Sequence, residues 1–325
     1  MDEFQHPLGN SIDWPRLHLS AVRRFSIAVI GEIRIDIRTQ LAGVRFREVT
    51  ADRLAFAPID LVVSGTAVNF ARPALEYFAK VDLIAKIGQD SFALLIRTKL
   101  DELGVTAHLL PASNVANGMV AVIHETGEDG VSGARLMIAD SVSPGLTLTA
   151  EDIRDKAAVL RSADALFIDG YALLYQTSAE AICAAADLAH EGGALVCFDL
   201  VPHDIYQRIA LPAVMPALER ADVIVSQADT LSGMLGTIST ESSFDSIGGQ
   251  VRLLDDELKH QPLWLIRSGP HSIDFVYAYQ QDRIENVYST DYYSQLPPMG
   301  FGDRLTAGEL YLLLAARATG SRSTE

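Results

Sequence analysis

Cysteine is scarce: the 325 residues contain two, Cys183 and Cys197, each in an apolar stretch (AICAAADLA and GALVCFDL). That suits buried thiols in a reducing compartment and excludes a disulfide framework. Positive charge is also short. Twenty-six Lys and Arg stand against 42 Asp and Glu, a formal net charge of −16, so the mean field repels nucleic-acid backbones and anionic lipid surfaces. No apolar run approaches the ~18 residues that span a bilayer. Residues 1–20, MDEFQHPLGNSIDWPRLHLS, lack the apolar segment of a secretion signal. The expectation is a cytoplasmic protein with neither a nucleic acid nor a membrane as partner. Recognisable site motifs are missing too: the eight histidines form no His-x3-His, and there is no Cys-x2-Cys, so zinc-type spacing is absent. A P-loop, a dinucleotide-binding G-x-G-x-x-G after the first strand and a G-x-S-x-G elbow are absent as well. A local anion site survives these exclusions, because a helix N-terminus holds phosphate with backbone N–H groups.

What is present describes a large folded unit. Hydrophobic residues make up 49% and charged residues 21%, enough apolar surface for a sizeable core. No repeat or linker forces a second independent domain. Residues 1–24, with Pro7, Gly9 and Pro15, read as an N-terminal extension, the domain as 25–320, and 321–325 as a tail. FSIAVIGE is a short apolar run ending in glycine, as a strand buried on both faces should be. Similar runs recur at Ile59 to Val63, Asp82 to Ala85, Ala165 to Ile168, Ala194 to Phe198, Val223 to Val225 and Leu263 to Ile266. Helical patterns such as AVNFARPALEYFA and SAEAICAAADLAHEGG lie between many of them. This alternation predicts βαβ units: an α/β fold with a mostly parallel central sheet flanked by helices. Two stretches break it, 34–57 and 118–140, where polar and apolar residues interleave. They are expected to form antiparallel strands outside the main sheet, as a small β lid.

The most informative segment is PPMGFGDRLTAGELYLLLAARATG, residues 297–320. Gly300, Phe301 and Gly302 would leave free N–H groups at the positive end of an apolar helix, with Asp303 in its first turn. Such a nest suits a phosphoryl group, although a first-turn acid alone is an ordinary capping device. Three other segments accompany it in order: GEIRID (31–36) after the first strand, SGTAVNFA (64–71) entering a helix, and KIGQDSFA (86–93) at a strand-to-helix turn. Together, over about Phe25 to Gly320, they resemble the ribokinase-like (PfkB) family of sugar and nucleoside kinases. GFGDRLTAG is similar to that family's C-terminal signature GAGDxFxAG, and SGTAVNFA to its N-terminal GGxxxNxA.

The resemblance implies a three-layer sandwich and assigns roles to the matching residues. Asp303 matches the catalytic base, and Gly300, Phe301 and Gly302 match the anion hole. Asp36 and Asn69 match the side chains that hold sugar hydroxyls, and Gly65 matches the glycine that admits substrate to the backbone. On the nucleotide side IRSGPHSIDF, residues 266–275, is similar to the strand-turn-strand segment under ATP, with Arg267 in the usual Thr or Lys place and Gly269 as its first glycine. Ser272 replaces the second glycine. In VIVSQADTLSGMLG (223–236), Gln227 and Thr230 occupy the places of the family's Asn-x-x-Glu. The metal-organising carboxylate is therefore missing unless Asp229 substitutes from one position away. Pro297 replaces the aspartate that commonly opens the signature, and FDLVPHDIY keeps Asp199 but has Val201 and His203 further on. The implied activity is ATP- and Mg2+-dependent phosphorylation of a hydroxyl, by expectation a primary one, of a small sugar or sugar-like substrate. The alternative is a relative with decayed catalysis that serves as a ligand-binding or regulatory module. Strand edges in the lid lead us to expect a homodimer formed through it.

Overall fold

The computed structural model describes residues 23–49, 52, 54–126, 132–200, 205–236, 244–268, 274–280, 283–290 and 301–320. The extension up to residue 22, the tail 321–325, and Val201, His203, Gly269, Ser272, Pro297 and Gly300 lie outside the described residues.

The apolar runs pair in parallel, in the spatial order β5 (Thr106–Pro111), β4 (Lys80–Ile87), β1 (Ser26–Ile30), β8 (Ala165–Asp169), β9 (Leu195–Asp199), β10 (Val223–Gln227) and β11 (Leu263–Ser268). Two antiparallel strands, β12 (Asp274–Gln280) and β13 (Arg283–Thr290), extend the β11 edge. Alternate side chains of each strand enter opposite layers. Ile27 and Val29 join Phe167 and Leu265 on one face, covered by α1 (Thr66–Tyr77), α2 (Phe92–Leu103) and α9 (Phe301–Gly320). Ala28 and Ile30 join Leu166, Phe198 and Trp264 on the other. There they meet α3 (Ala150–Arg154), α4 (Ala157–Ser162), α5 (Gln176–Glu191), α6 (Leu211–Leu218), α7 (Ala228–Met234) and α8 (Phe244–Asp255). Phe70 of α1 stacks on Phe167 with ring centroids 3.7 Å apart, a contact worth roughly 0.5–1.5 kcal/mol beyond its buried area. The chain runs outward from β1 through β4 to β5, then restarts at β8 on the other side of β1. That reversal opens a crevice at the C-terminal ends of the strands, where ligands of such sheets bind.

A separate four-stranded sheet has the order β3 (Ile59–Ser64), β2 (Arg34–Leu41), β6 (Gly118–Thr126) and β7 (Ser132–Ala139). Two expectations change here. Ile59 to Val63 belongs to this sheet and not to the main one, so the non-parallel region reaches Ser64; a short apolar run reports burial, not which sheet supplies it. Here Val63 is buried while Ile59 and Leu61 are exposed. The sheet is also mixed, since β2 and β6 pair in parallel. Both leave the main domain in the same direction, and the crossover between them runs through the main sheet. No helix among the described residues is long and apolar enough to cross a membrane.

Candidate active site

Three strands deliver carboxylates to the switch point: Glu32 just after β1, Asp169 at the end of β8 and Asp199 at the end of β9, the last two in register. Asp169 is buried and tied from several sides. It accepts from the backbone N–H of Glu32 at 3.2 Å and of Tyr171 at 2.9 Å, and from the hydroxyl of Thr66 in the first turn of α1. A side chain at Gly31 would collide with this carboxyl. Glu32 in turn accepts from Arg34 Nε at 2.5 Å and from Ser143 Oγ. Burial pushes the Asp169 carboxyl up to about 7, with the Thr66 hydrogen bond opposing the rise and the Glu32 charge adding to it.

Asp303 sits in the first turn of α9, half-buried. Loss of surrounding water pushes its carboxyl up to about 7; the Asp199 charge reinforces that, Arg267 opposes it and Asp169 adds again. The carboxyl thus stands among other acids at the positive end of a 20-residue helix. Arg267, near the end of β11, is buried at 3% exposure. Its Nη2 donates to Thr306 Oγ1 at 2.6 Å and Glu309 Oε2 at 3.2 Å, and Thr306 Oγ1 donates to the Gly302 carbonyl at 3.1 Å. A Cβ added to Gly302 would lie 2.9 Å from Arg267 Nη1. Arg267 is therefore a buried cation packed beneath the first turn of α9. Arg304 fixes the same turn to α1, donating to both carboxylate oxygens of Glu76 at 2.7 and 2.6 Å.

The second cluster lies where the small sheet meets α1. Asp36 is buried, and its Oδ2 accepts from Arg38 Nε at 3.1 Å and Nη2 at 2.8 Å. Arg38 Nη2 also donates to Ser64 Oγ at 3.1 Å, and Ser64 Oγ donates to Asn69 Oδ1 at 3.1 Å. Gly65, between β3 and α1, has φ of +97°. A Cβ there would strike the Glu32 carbonyl and stand 2.9 Å from Arg34 N, so both backbone conformation and space require glycine. Gly65→Ala should destabilise the fold by at least about 2 kcal/mol; a urea midpoint equal to that of the unsubstituted chain would refute this packing argument.

The structure thus gathers Asp36, Gly65 and Asn69 into one cluster, and Asp303, Phe301, Gly302 and Arg267 at the start of α9. Asp169 links the two clusters through Thr66 on one side and its field at Asp303 on the other. Gln227, half-buried at the end of β10, is in register with Arg267. Asp229 is exposed in the first turn of α7, where its Oδ1 accepts from the Thr230 N–H at 2.8 Å, and Thr230 is buried. Among the described residues no group of three or more His, Cys, Asp or Glu is placed to hold a metal. Reading the sequence missed Asp169, Glu32 and Ser143, and the pairing of Asp36 with Arg38. The available signal was positional: GE, ID and FD each put an acid at the C-terminal end of an apolar run.

The profile of the pfkB family carbohydrate kinases matches residues 25–316. The chain belongs to that family. Solved kinases share its fold. A fructokinase from Xylella fastidiosa superposes with a TM-score of 0.68 at 17% identity, covering 89% of this chain and 82% of its own. In a second structure, that fructokinase with bound ATP gives 0.63 at 19% identity over 90% and 83%. The adenosine kinase from Sinorhizobium meliloti gives 0.68 at 17% identity over 90% and 88%. No curated protein matches the sequence.

The raised carboxyls of this family member carry a pH prediction. A folded-state value above the usual 3.8 means that the folded chain binds more protons than the unfolded one between pH ~4 and ~7. Unfolding free energy therefore falls as pH rises through that window. Thermal melts from pH 5 to 8 should show the decline, and Asp169→Asn should flatten it; equal slopes for the two proteins would contradict the assignment.

Proposed function

We propose that the protein transfers the γ-phosphoryl group of ATP to a hydroxyl, by expectation a primary one, of a small sugar or sugar-like alcohol. One observation carries this reading: a carboxyl raised to about 7 stands in the first turn of α9, at the sheet's C-terminal crevice, where an anion is also favoured. In a loose phosphoryl-transfer transition state, positioning and charge stabilisation dominate. Asp303 accepts the proton of the attacking hydroxyl at a carboxylate oxygen. The backbone N–H groups opening α9 at Phe301 and Gly302 would face the charge that develops on the phosphoryl oxygens, with the Arg267 cation beneath them, and the resemblance adds Gly300, which lies outside the described residues. Asp36 and Asn69 hold the acceptor, and Gly65 lets it approach the backbone. Gln227 would line the nucleotide side, where the resemblance also puts Gly269, which lies outside the described residues. Because the base must be unprotonated, kcat/KM should rise with pH to a plateau, with an acid limb near 7 rather than near 4.

The residues present fit a nucleotide: a glycine-bearing helix start over a buried cation accommodates a phosphate chain. Mg2+ commonly keeps several waters and takes one or two carboxylates plus phosphate oxygens. Asp199, whose charge bears on Asp303, would supply that carboxylate, and Asp229 is a second candidate at the start of α7. When bound, the metal offsets negative charge on the phosphates.

The small sheet would act as a lid over the acceptor. Its strands and the preceding loop leave Phe56 89% exposed, with Leu54, Ile59, Leu61, Leu136 and Ile138 also exposed, an apolar surface suited to a second copy of the lid. Sedimentation at micromolar concentration should show a dimer, and Phe56→Asp should shift it toward monomer; a monomer throughout would exclude this interface.

A ligand-binding relative without catalysis is favoured by the Asn-x-x-Glu region, where buried Thr230 replaces the carboxylate. ADP release, measured with Mg2+ over a panel of sugars and nucleosides, separates the two readings. The kinase reading expects ADP formation that depends on one acceptor class and stops with EDTA, whereas no ADP from any acceptor would favour the binding module.

A further inference from the structure

The acceptor face of the lid is not built for a neutral polyol alone. Arg38 lies on the face of β2 that carries Asp36, as their hydrogen bonds require. Register extends that face across the sheet. Arg38 pairs with Val122 and Gln40 with His124 across β2 and β6, and His124 pairs with Arg135 across β6 and β7. Paired residues point the same way, as do residues two apart on a strand. Arg38, His124 and Arg135 therefore share one surface with Asp36. Their proximity is also felt electrostatically: burial first, then the charges of Arg135 and Arg38, hold the His124 imidazole below its usual value. Among the described residues no carboxylate pairs with Arg135, and Asp60, opposite Arg38 on β3, forms no ion pair with it. Two guanidinium groups and an imidazole thus share this surface with two carboxylates, of which Asp36 pairs with Arg38 and Asp60 does not, in a chain whose net charge is −16.

The hydrogen bonds show why this matters for the acceptor. Oδ2 of Asp36 and Oδ1 of Asn69 are already engaged by Arg38 and Ser64. A neutral sugar would find two of the three expected acceptor oxygens already engaged, and breaking the Asp36 pair would take the close counter-charge from the partly buried Arg38 guanidinium. An anionic substituent resolves both difficulties, since it can replace Asp36 as the partner of Arg38 and release Asp36 for hydroxyls. Arginine's planar fork matches carboxylate and phosphate oxygens.

We propose that the acceptor is an anionic sugar, a sugar monophosphate or sugar acid, whose charged group is bound by Arg38 with His124 and Arg135 at the end away from the hydroxyl that is phosphorylated. This rests on the kinase reading for the reaction, but its binding test stands apart from turnover. Calorimetry with matched pairs (fructose and fructose 6-phosphate, ribose and ribose 5-phosphate, glucose and gluconate) should show at least tenfold tighter binding of the charged member in one pair. Whether phosphate or carboxylate is preferred distinguishes the two sources of charge. Arg38→Gln should abolish the preference, and Arg135→Gln, at an exposed position that folding tolerates, should reduce it severalfold. If no sugar binds, inorganic phosphate decides: it should raise the melting temperature of Asp303→Asn, and the shift should at least halve when Arg135→Gln is added. Neutral members binding as tightly as charged ones, or a charge preference unchanged in both arginine variants, would overturn the proposal. Charge-selective binding without ADP formation would instead remove the kinase reading and leave this site standing.

Discussion

Asp303→Asn should lower kcat by about 10² to 10⁴, the range associated with positioned acid–base help, while the folded structure and acceptor affinity stay nearly unchanged. The substitution keeps the shape of the side chain and removes proton acceptance. Stability should not fall, since the raised carboxyl is an unfavourable charge at neutral pH: burial and Asp199 both act against ionisation. An amide relieves that opposition. The variant is thus expected to melt at or slightly above the temperature of the unsubstituted protein at pH 8. A drop in kcat of less than tenfold would mean that another group takes the proton.

The second large effect concerns stability. Arg267 and Glu309 are 3% and 0% exposed and pair at 3.2 Å. Removing one partner takes the counter-charge at 3.2 Å from a buried ion, and breaking a buried pair in this way costs about 3–5 kcal/mol. Glu309→Ala alone should therefore unfold the chain at markedly lower urea. Replacing both, as Arg267→Met with Glu309→Leu, should recover much of that loss, because apolar groups of similar volume carry no desolvation penalty. The double variant separates fold from function: restored stability with depressed kcat is expected, since the cation under the start of α9 is gone. A double variant as unstable as the single one would show that the pair is not the governing interaction.

Much of this arrangement was legible in the sequence, for identifiable reasons. Parallel strands covered on both faces leave continuous apolar runs, so β1, β8, β9, β10 and β11 announced themselves. GFGD combines glycine and acid at a helix start, and SGTAVNFA places a left-handed glycine before another; both are requirements of local backbone. Ile59 to Val63 was misassigned because its apolar residues report burial against α1 at one end only. The acidic cluster was hidden for a different reason. Asp169 lies 137 residues from Glu32, and only the strand order, with β8 beside β1, makes them neighbours. The Arg38 pair lies two residues from Asp36 and was visible as letters, but its meaning depends on both side chains sharing one face of β2.

The central claim is that α9 opens on a working phosphoryl-transfer site, and nucleotide binding tests it most directly. Calorimetry with a non-hydrolysable ATP analogue, with and without Mg2+, should show binding to the unsubstituted protein that strengthens with the metal. Asp303→Asn should retain that binding, whereas only the unsubstituted protein should form ADP when ATP and an acceptor are supplied. Absence of binding in both conditions, together with no ADP from any acceptor, would contradict the account.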